Sequence, residues 1–317
     1  MSTVPKKSLT LFDSICIIVG IIIGAGIYET TPAVAACMGG WGGTMAIWLV
    51  GGIVALCGAL CYAELATTFP EQGGDVVYLS RAYGSWAGFM FGWSQLAIIR
   101  PGDIALMAFV FSRYATTLYA PFPNMSVFYA GGSVLILTLI NMIGVRESKW
   151  MQNALTVVKV AGLLFIVIIG FLAPGSGRET IADPLSGGGL KLAMILVLFT
   201  YGGWNDMAYI SGEIRNPRKN IGRAMVLGIT AVVTVYLLSN AAFLHALGYE
   251  SMAASEAVAV DTVATVLPTA AARLIAVIIC ISALGAVNGL IFTGARISYA
   301  LGTGHRLFQR LGKWNAG

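Results

Sequence analysis

Two stretches hold residues whose types and spacing could do chemistry. The first, IIIGAGIYETTP (residues 21–32), sits inside an apolar segment that extends from Ser14 to Cys37. The second, VLFTYGGWNDMAYISGE (residues 197–213), puts Gly202 and Gly203 in mid-segment and follows them with Asn205 and Asp206. Glycine inside a helix costs roughly 0.5–1 kcal/mol relative to alanine, so Gly24 and Gly26, two residues apart, favour a break. A helix opened halfway across a bilayer frees N–H and C=O groups that lipid cannot satisfy, and these must face protein or a wet cavity. Freed N–H groups attract a carboxylate and freed C=O groups an ammonium, each terminus contributing about 0.3–2 kcal/mol. A zwitterionic amino acid presents both charges a bond or two apart, and two open helices crossing at the midplane would match it. The bland alternative for the first stretch is that Gly20 and Gly24 form a small-xxx-small packing stripe. The matching break in the second stretch favours a site.

The elements that must position these stretches are membrane spans. Hydrophobic residues make up 57% of the 317, charged residues 10%, and the mean hydropathy is +0.82, whereas a soluble domain is about 25% charged. A helix needs about 20 apolar residues to cross the bilayer core. The sequence predicts eight, at residues 13–36, 41–67, 86–118, 124–145, 153–173, 189–211, 222–248 and 270–303, within one transmembrane domain covering residues 1–317. The long continuous runs favour helices over a barrel. The interrupted spans are the first and the sixth. Glycine-broken helices at matching positions of two five-helix halves point to an inverted-repeat transporter site. With the N-terminus inside, thirteen Lys and Arg fall on inner segments and four on outer ones, with Arg100 and Lys159 left within spans. The positive-inside rule then places both termini in the cytoplasm. Residues 68–85 predict a cytoplasmic amphipathic helix, and residues 174–188 and 249–268 predict outer loops.

Other chemistries find little footing. The net charge of +5 is spread as topology signals rather than as a nucleic-acid patch. The five cysteines lie in spans or at their edges without a CxxC pair, and His245 and His305 stand sixty residues apart. No metal site, cofactor or disulfide framework is expected. An aspartyl membrane protease would need two carboxylates sharing a proton; Asp103 and Asp206 are the candidates, and neither flanking pattern suits. Nothing reads as a channel filter.

At the quoted residues the chain is recognisable. GIIIGAGIYETTP, YAELATTFPEQGGDVVYLSRAYG, IIRPGDIALMAFVFSRY, LFTYGGWNDMAYISGEIRNPRKNIGRAM and NGLIFTGARISYALG resemble the L-type amino acid transporter group of the amino acid–polyamine–organocation superfamily. The resemblance covers nearly the whole chain. It implies an all-α LeuT-type bundle with spans 1 and 6 discontinuous, and sodium-independent exchange of neutral L-amino acids across the plasma membrane by alternating access. It also implies the site. Ile22, Gly24, Ala25, Gly26 and Ile27 would supply the first-span contacts, with the carboxylate on N–H groups around Ala25 and Gly26. Phe199 would be an aromatic lid, Tyr201, Gly202 and Gly203 the sixth-span break, and Asn205 a brace for the unwound segment. Many relatives have Ser at the Ala25 position, so one hydroxyl contact is missing here. Lys159, in TVVKVAGLLFIVIIG, would stand where sodium-coupled cousins bind sodium and brace span 1; read alone, it could snorkel instead. Arg100 and Pro101 read as structural, with Pro101 kinking span 3. Asn288 reads either as a neighbour of Lys159 or as helix–helix glue, and Glu64 with Arg81 as organisers of the cytoplasmic face.

Two departures stand out. Animal members that pair with a single-span glycoprotein use a cysteine between spans 3 and 4, whereas this loop reads YAPFPNMS, so no disulfide-linked heavy subunit is expected. The family has twelve spans, and this sequence accounts for eight, which suggests a fragment or a truncated product.

Overall fold

A computed structural model describes residues 7–175, 189–304 and 308–312. Among them the regular structure is helical apart from one isolated parallel bridge between Leu9 and Ile214. The first span divides into α1 (Leu11–Ile22), α2 (Gly26–Glu29) and α3 (Thr31–Met38). α4 (Trp41–Thr68) returns, α5 (Asp75–Tyr83) is the short helix expected in residues 68–85, and α6 (Ser85–Ser94) leads through a π turn at Gln95–Ile99 into α7 (Arg100–Leu118). α8 (Met125–Ile143) and α9 (Val145–Leu172) follow. α10 (Gly189–Thr200) and α11 (Asp206–Tyr209) flank the second break, then come α12 (Pro217–Leu247), α13 (Tyr249–Ala254), α14 (Val258–Ala264) and α15 (Ala271–Gly304).

Among the described residues, seven helical segments are long and apolar enough to cross a membrane. The sixth expected span, residues 189–211, differs: its apolar helix α10 has only 12 residues, because the chain leaves helical geometry at Tyr201. The fifth and seventh helices begin eight and five residues before their apolar runs. Their polar first residues, Arg146 and Glu147 on α9 and Arg218 and Lys219 on α12, are exposed, while Ser148, Gln152 and Asn153 on α9 are buried. Most of residues 174–188 lies outside the described residues, as does His305. Residues 249–268 are largely helical, as α13 and α14.

α1 lies at the centre, against α9, α12 and α15, with Ile17, Ile18, Val19, Ile21 and Ile22 buried. Outward faces stay apolar, as on α8, where Val127, Phe128, Leu135, Ile136 and Leu139 are exposed; lipid is the solvent that such a face suits. Pro101 does not bend its helix by simple loss of a bond. The π turn precedes it, with the Arg100 N–H donating to the Gln95 carbonyl five residues back. One turn is thereby widened where proline can neither donate nor fit the tighter ladder.

Buried charge ties down the start of the first span and the end of the sixth. Asp206 accepts from both terminal nitrogens of Arg100, one at 2.9 Å, and from the Thr293 hydroxyl at 3.2 Å. Glu213 accepts from Arg296 Nε and Nη2 at 2.7 and 3.1 Å. Asp13 accepts from Lys149 at 3.1 Å and Asn153 at 2.7 Å, and closes a capping box with Thr10. Asp75 takes the hydroxyls of Tyr62 and Tyr209 at 2.6 and 2.7 Å. At the surface Arg81 pairs with Glu71 at 2.5 Å.

Candidate functional site

The first break covers residues 23–25, between α1 and α2. Ile23 still donates to the Val19 carbonyl at 2.9 Å, and Gly24 turns back to Ile22 at 2.8 Å. Beyond that point the ladder stops. Among the described residues no backbone acceptor is found for the N–H groups of Ala25, Gly26 and Ile27. The outer half-helix resumes with Thr30 donating to the Gly26 carbonyl at 2.8 Å. Three consecutive unpaired donors at mid-span are what a carboxylate would take up.

The freed carbonyls on the inner side are mostly claimed by side chains. Lys159, 1% exposed, donates to Gly20 O at 2.7 Å, Ile23 O at 2.8 Å and Ser282 O at 2.9 Å. The Ser282 hydroxyl lies 3.2 and 3.3 Å from Ile23 O and Gly24 O. Tyr236 donates to Ile22 O at 2.9 Å and reaches to within 3.5 Å of Thr200 O. The ammonium of Lys159 is thus ringed by three carbonyl dipoles, the ligand set that suits a hard cation. It does not snorkel. Gly285 makes room for it, since a Cβ there would lie 2.8 Å from Nζ.

The second break covers residues 201–205, where five turn residues replace helix between α10 and α11. Gly202 N–H folds back to Phe199 O at 3.0 Å, and the N–H groups of Gly203, Trp204 and Asn205 find no backbone acceptor among the described residues. The carbonyls of Ile21, Leu198 and Tyr201 likewise receive no hydrogen bond there. Gly203 sits at φ +103°, and a Cβ on it would fall 2.7 Å from Ile21 Cγ2. Only glycine combines that left-handed backbone with so close an approach. Gly26 meets α10 in the same way, its would-be Cβ 3.1 Å from Thr200 Cγ2. The Thr30 and Thr200 hydroxyls pair at 2.8 Å. The two breaks therefore touch, Ile21 on Gly203 and Gly26 on Thr200.

The expected site residues divide. Ile22, Gly24, Ala25, Gly26, Ile27, Gly202 and Gly203 come together at the breaks. Tyr201 lies in the second break, but its side chain leaves it: the ring packs at 5.8 Å on Trp48 and 5.2 Å on Tyr236, and the hydroxyl donates to Trp48 O at 3.2 Å. Phe199 is 63% exposed, on the face of α10 opposite Ala193 and Val197. Asn205 contributes its carbonyl, accepting from Ala208 at 3.0 Å, while no hydrogen bond is found for its side chain among the described residues. Asp206 is occupied by Arg100 and Thr293, so its carboxylate is not free for a cationic substrate or a shared proton. Asn288 bonds Asn141 and Gln152, each at 2.8 Å, joining spans 4, 5 and 8 rather than reaching Lys159. Sequence reasoning missed Tyr236, Ser282 and Thr200. A tyrosine and a serine deep in otherwise aliphatic runs were the available signal.

The comparisons bear on this geometry. The model of the family described as amino acid permease matches residues 9–315. The chain is 34% identical over 318 residues to the b(0,+)-type amino acid transporter 1 of Mus musculus, covering 95% of this chain and 64% of that one. It is also 34% identical over 310 residues to the large neutral amino acids transporter small subunit 2 of Mus musculus, covering 93% and 58%. It thus spans about three fifths of the length of these relatives. A solved sodium-coupled sialic acid symporter, in a substrate-bound outward-open state, superposes with a TM-score of 0.66 at 12% identity, over 95% of this chain and 66% of that one. At that identity the likeness concerns the fold alone, which is the LeuT type. Family and relatives are transporters, not enzymes, and the extent of the family match with the two touching breaks leads to one conclusion: this chain belongs to the amino acid permease family.

Proposed function

We propose that the chain carries neutral L-amino acids across the plasma membrane by alternating access, as a sodium-independent exchanger with both termini in the cytoplasm. The observation that supports this most is the set of unpaired donors at Ala25, Gly26 and Ile27, facing a second break that Ile21 and Thr200 bring into contact. The substrate carboxylate accepts from those N–H groups. Its ammonium donates to carbonyls left free at Ile21, Leu198 or Tyr201. Phe199 closes over the bound substrate when the bundle moves, and the Asn205 side chain braces the second break in that occluded state. The relatives named for neutral amino acids support the substrate class. Lys159 supports sodium independence, because its ammonium holds the carbonyls of Gly20, Ile23 and Ser282 that a bound cation would otherwise bridge. No disulfide-linked heavy subunit is needed in this reading, since the loop between spans 3 and 4 carries no cysteine.

Counterflow uptake into proteoliposomes, run across the twenty amino acids with and without a sodium gradient, tests it. Neutral amino acids should exchange equally in both conditions. A strict sodium requirement, or no exchange of any amino acid, overturns the reading.

A further inference from the structure

A cavity lies beside α2, beyond the first break, and takes no part in it. It has a volume of about 250 Å³ and lies between α2, the end of α7, the segment leading into α14, and α15. Its lining includes Tyr28, Glu29, Arg113, Tyr114, Glu256 and Ile275. Glu29 and Arg113 form an ion pair across it, with the side chains 37% and 62% exposed. Glu256 is exposed and has no ion-pair partner among the described residues. The wall therefore carries two carboxylates against one guanidinium. Tyr28 supplies an independent sign of a missing ligand. The residue is only 4% exposed, and its buried hydroxyl has no hydrogen-bond partner among the described residues. A buried hydroxyl left alone costs about 1–3 kcal/mol, so something polar is expected to meet it. Tyr28 stands two residues beyond Gly26 on the same outer half-helix, so this cavity adjoins the inner break.

We propose that this cavity is an outer binding site for the head group of an α-amino acid, occupied before the solute reaches the break. The solute's carboxylate accepts from Arg113 and from the Tyr28 hydroxyl. Its ammonium donates to Glu256 and to Glu29, which gives up part of its hold on Arg113. The excess of one negative charge in the wall favours solutes bearing an ammonium over plain carboxylates. The class of ligand rests on the amino acid reading given above; the existence of the site rests on the cavity, the unpaired Glu256 and the orphan Tyr28 hydroxyl.

Equilibrium binding of a tritiated mixture of the twenty L-amino acids to the detergent-purified chain tests it by stoichiometry. The wild type should bind two equivalents. Gly26→Val, which crowds Thr200 and obstructs the break, should retain one. Glu256→Gln and Arg113→Gln should each leave only the inner equivalent, and Tyr28→Phe, which keeps the ring, should weaken the outer one three- to tenfold. One equivalent in the wild type and none in Gly26→Val overturns the outer site while the inner reading stands. No binding to the wild type overturns both.

Discussion

Two residues set the terms of the inner site. Gly203 combines φ +103° with contact on Ile21, and a side chain in that backbone region costs about 1–3 kcal/mol before any clash. Gly203→Ala should weaken amino acid binding at least tenfold while the protein still elutes as a single species from size exclusion; unchanged affinity would show that the second break does not touch the substrate. Lys159 is the other. Lys159→Ala removes the donor shared by the carbonyls of Gly20, Ile23 and Ser282; Ile23 keeps the Ser282 hydroxyl, while a carbonyl left unpaired costs about 1–3 kcal/mol. Thermal unfolding in detergent should fall by several degrees and exchange should be lost; a variant as stable and active as wild type would make the lysine incidental. Lys159 was visible in the sequence as a charge inside a span. Its partners were not, because they are backbone carbonyls 123 to 139 positions away, and every residue type owns a carbonyl.

At the scale of elements, the broken helices are held by ion pairs that cross between spans. Arg100 on α7 grips Asp206 on α11, and both are buried. Removing one partner of a buried pair costs about 3–5 kcal/mol, whereas replacing both with apolar groups is often tolerated. Asp206→Leu and Arg100→Met should each lower the unfolding temperature sharply, and the double variant should recover much of the loss. Additive losses would argue against a coupled pair. The breaks themselves were legible, since glycines interrupt apolar runs at residues 24–26 and 202–203. The pairing of Arg100 with Asp206 was not, because two lone charges in separate spans do not announce their distance. The direction of Tyr201 was equally hidden. Its residue type promises a ring and a polar tip but not which neighbour takes them, and Trp48 and Tyr236 take both. The early starts of α9 and α12 were missed for a simpler reason: their first turns carry charged residues, so the apolar pattern begins after the helix does.

For the whole molecule, orientation is the quantity most open to test. The bias of Lys and Arg puts α5 inside and α13 outside. In a cysteine-free background, a cysteine replacing Glu250 should react with an impermeant maleimide added to intact cells, and one replacing Arg81 should react only after permeabilisation. The reverse pattern would invert the topology and with it the sidedness of the outer cavity. The fold class was readable throughout, because eight apolar runs leave little choice in a bilayer. The length of the sixth was overread, since hydropathy continues through Tyr201 and Trp204 after the helix has stopped.

The ring of carbonyls around Lys159 has a thermodynamic corollary. A dissolved ion has a chemical potential on each face of a membrane, and a carrier that takes it up can spend the difference. A charge tethered to the chain has no such difference to offer. The side chain that bears it is always present and travels nowhere. A carrier built around it keeps the brace and forgoes the fuel that a bound sodium ion would bring.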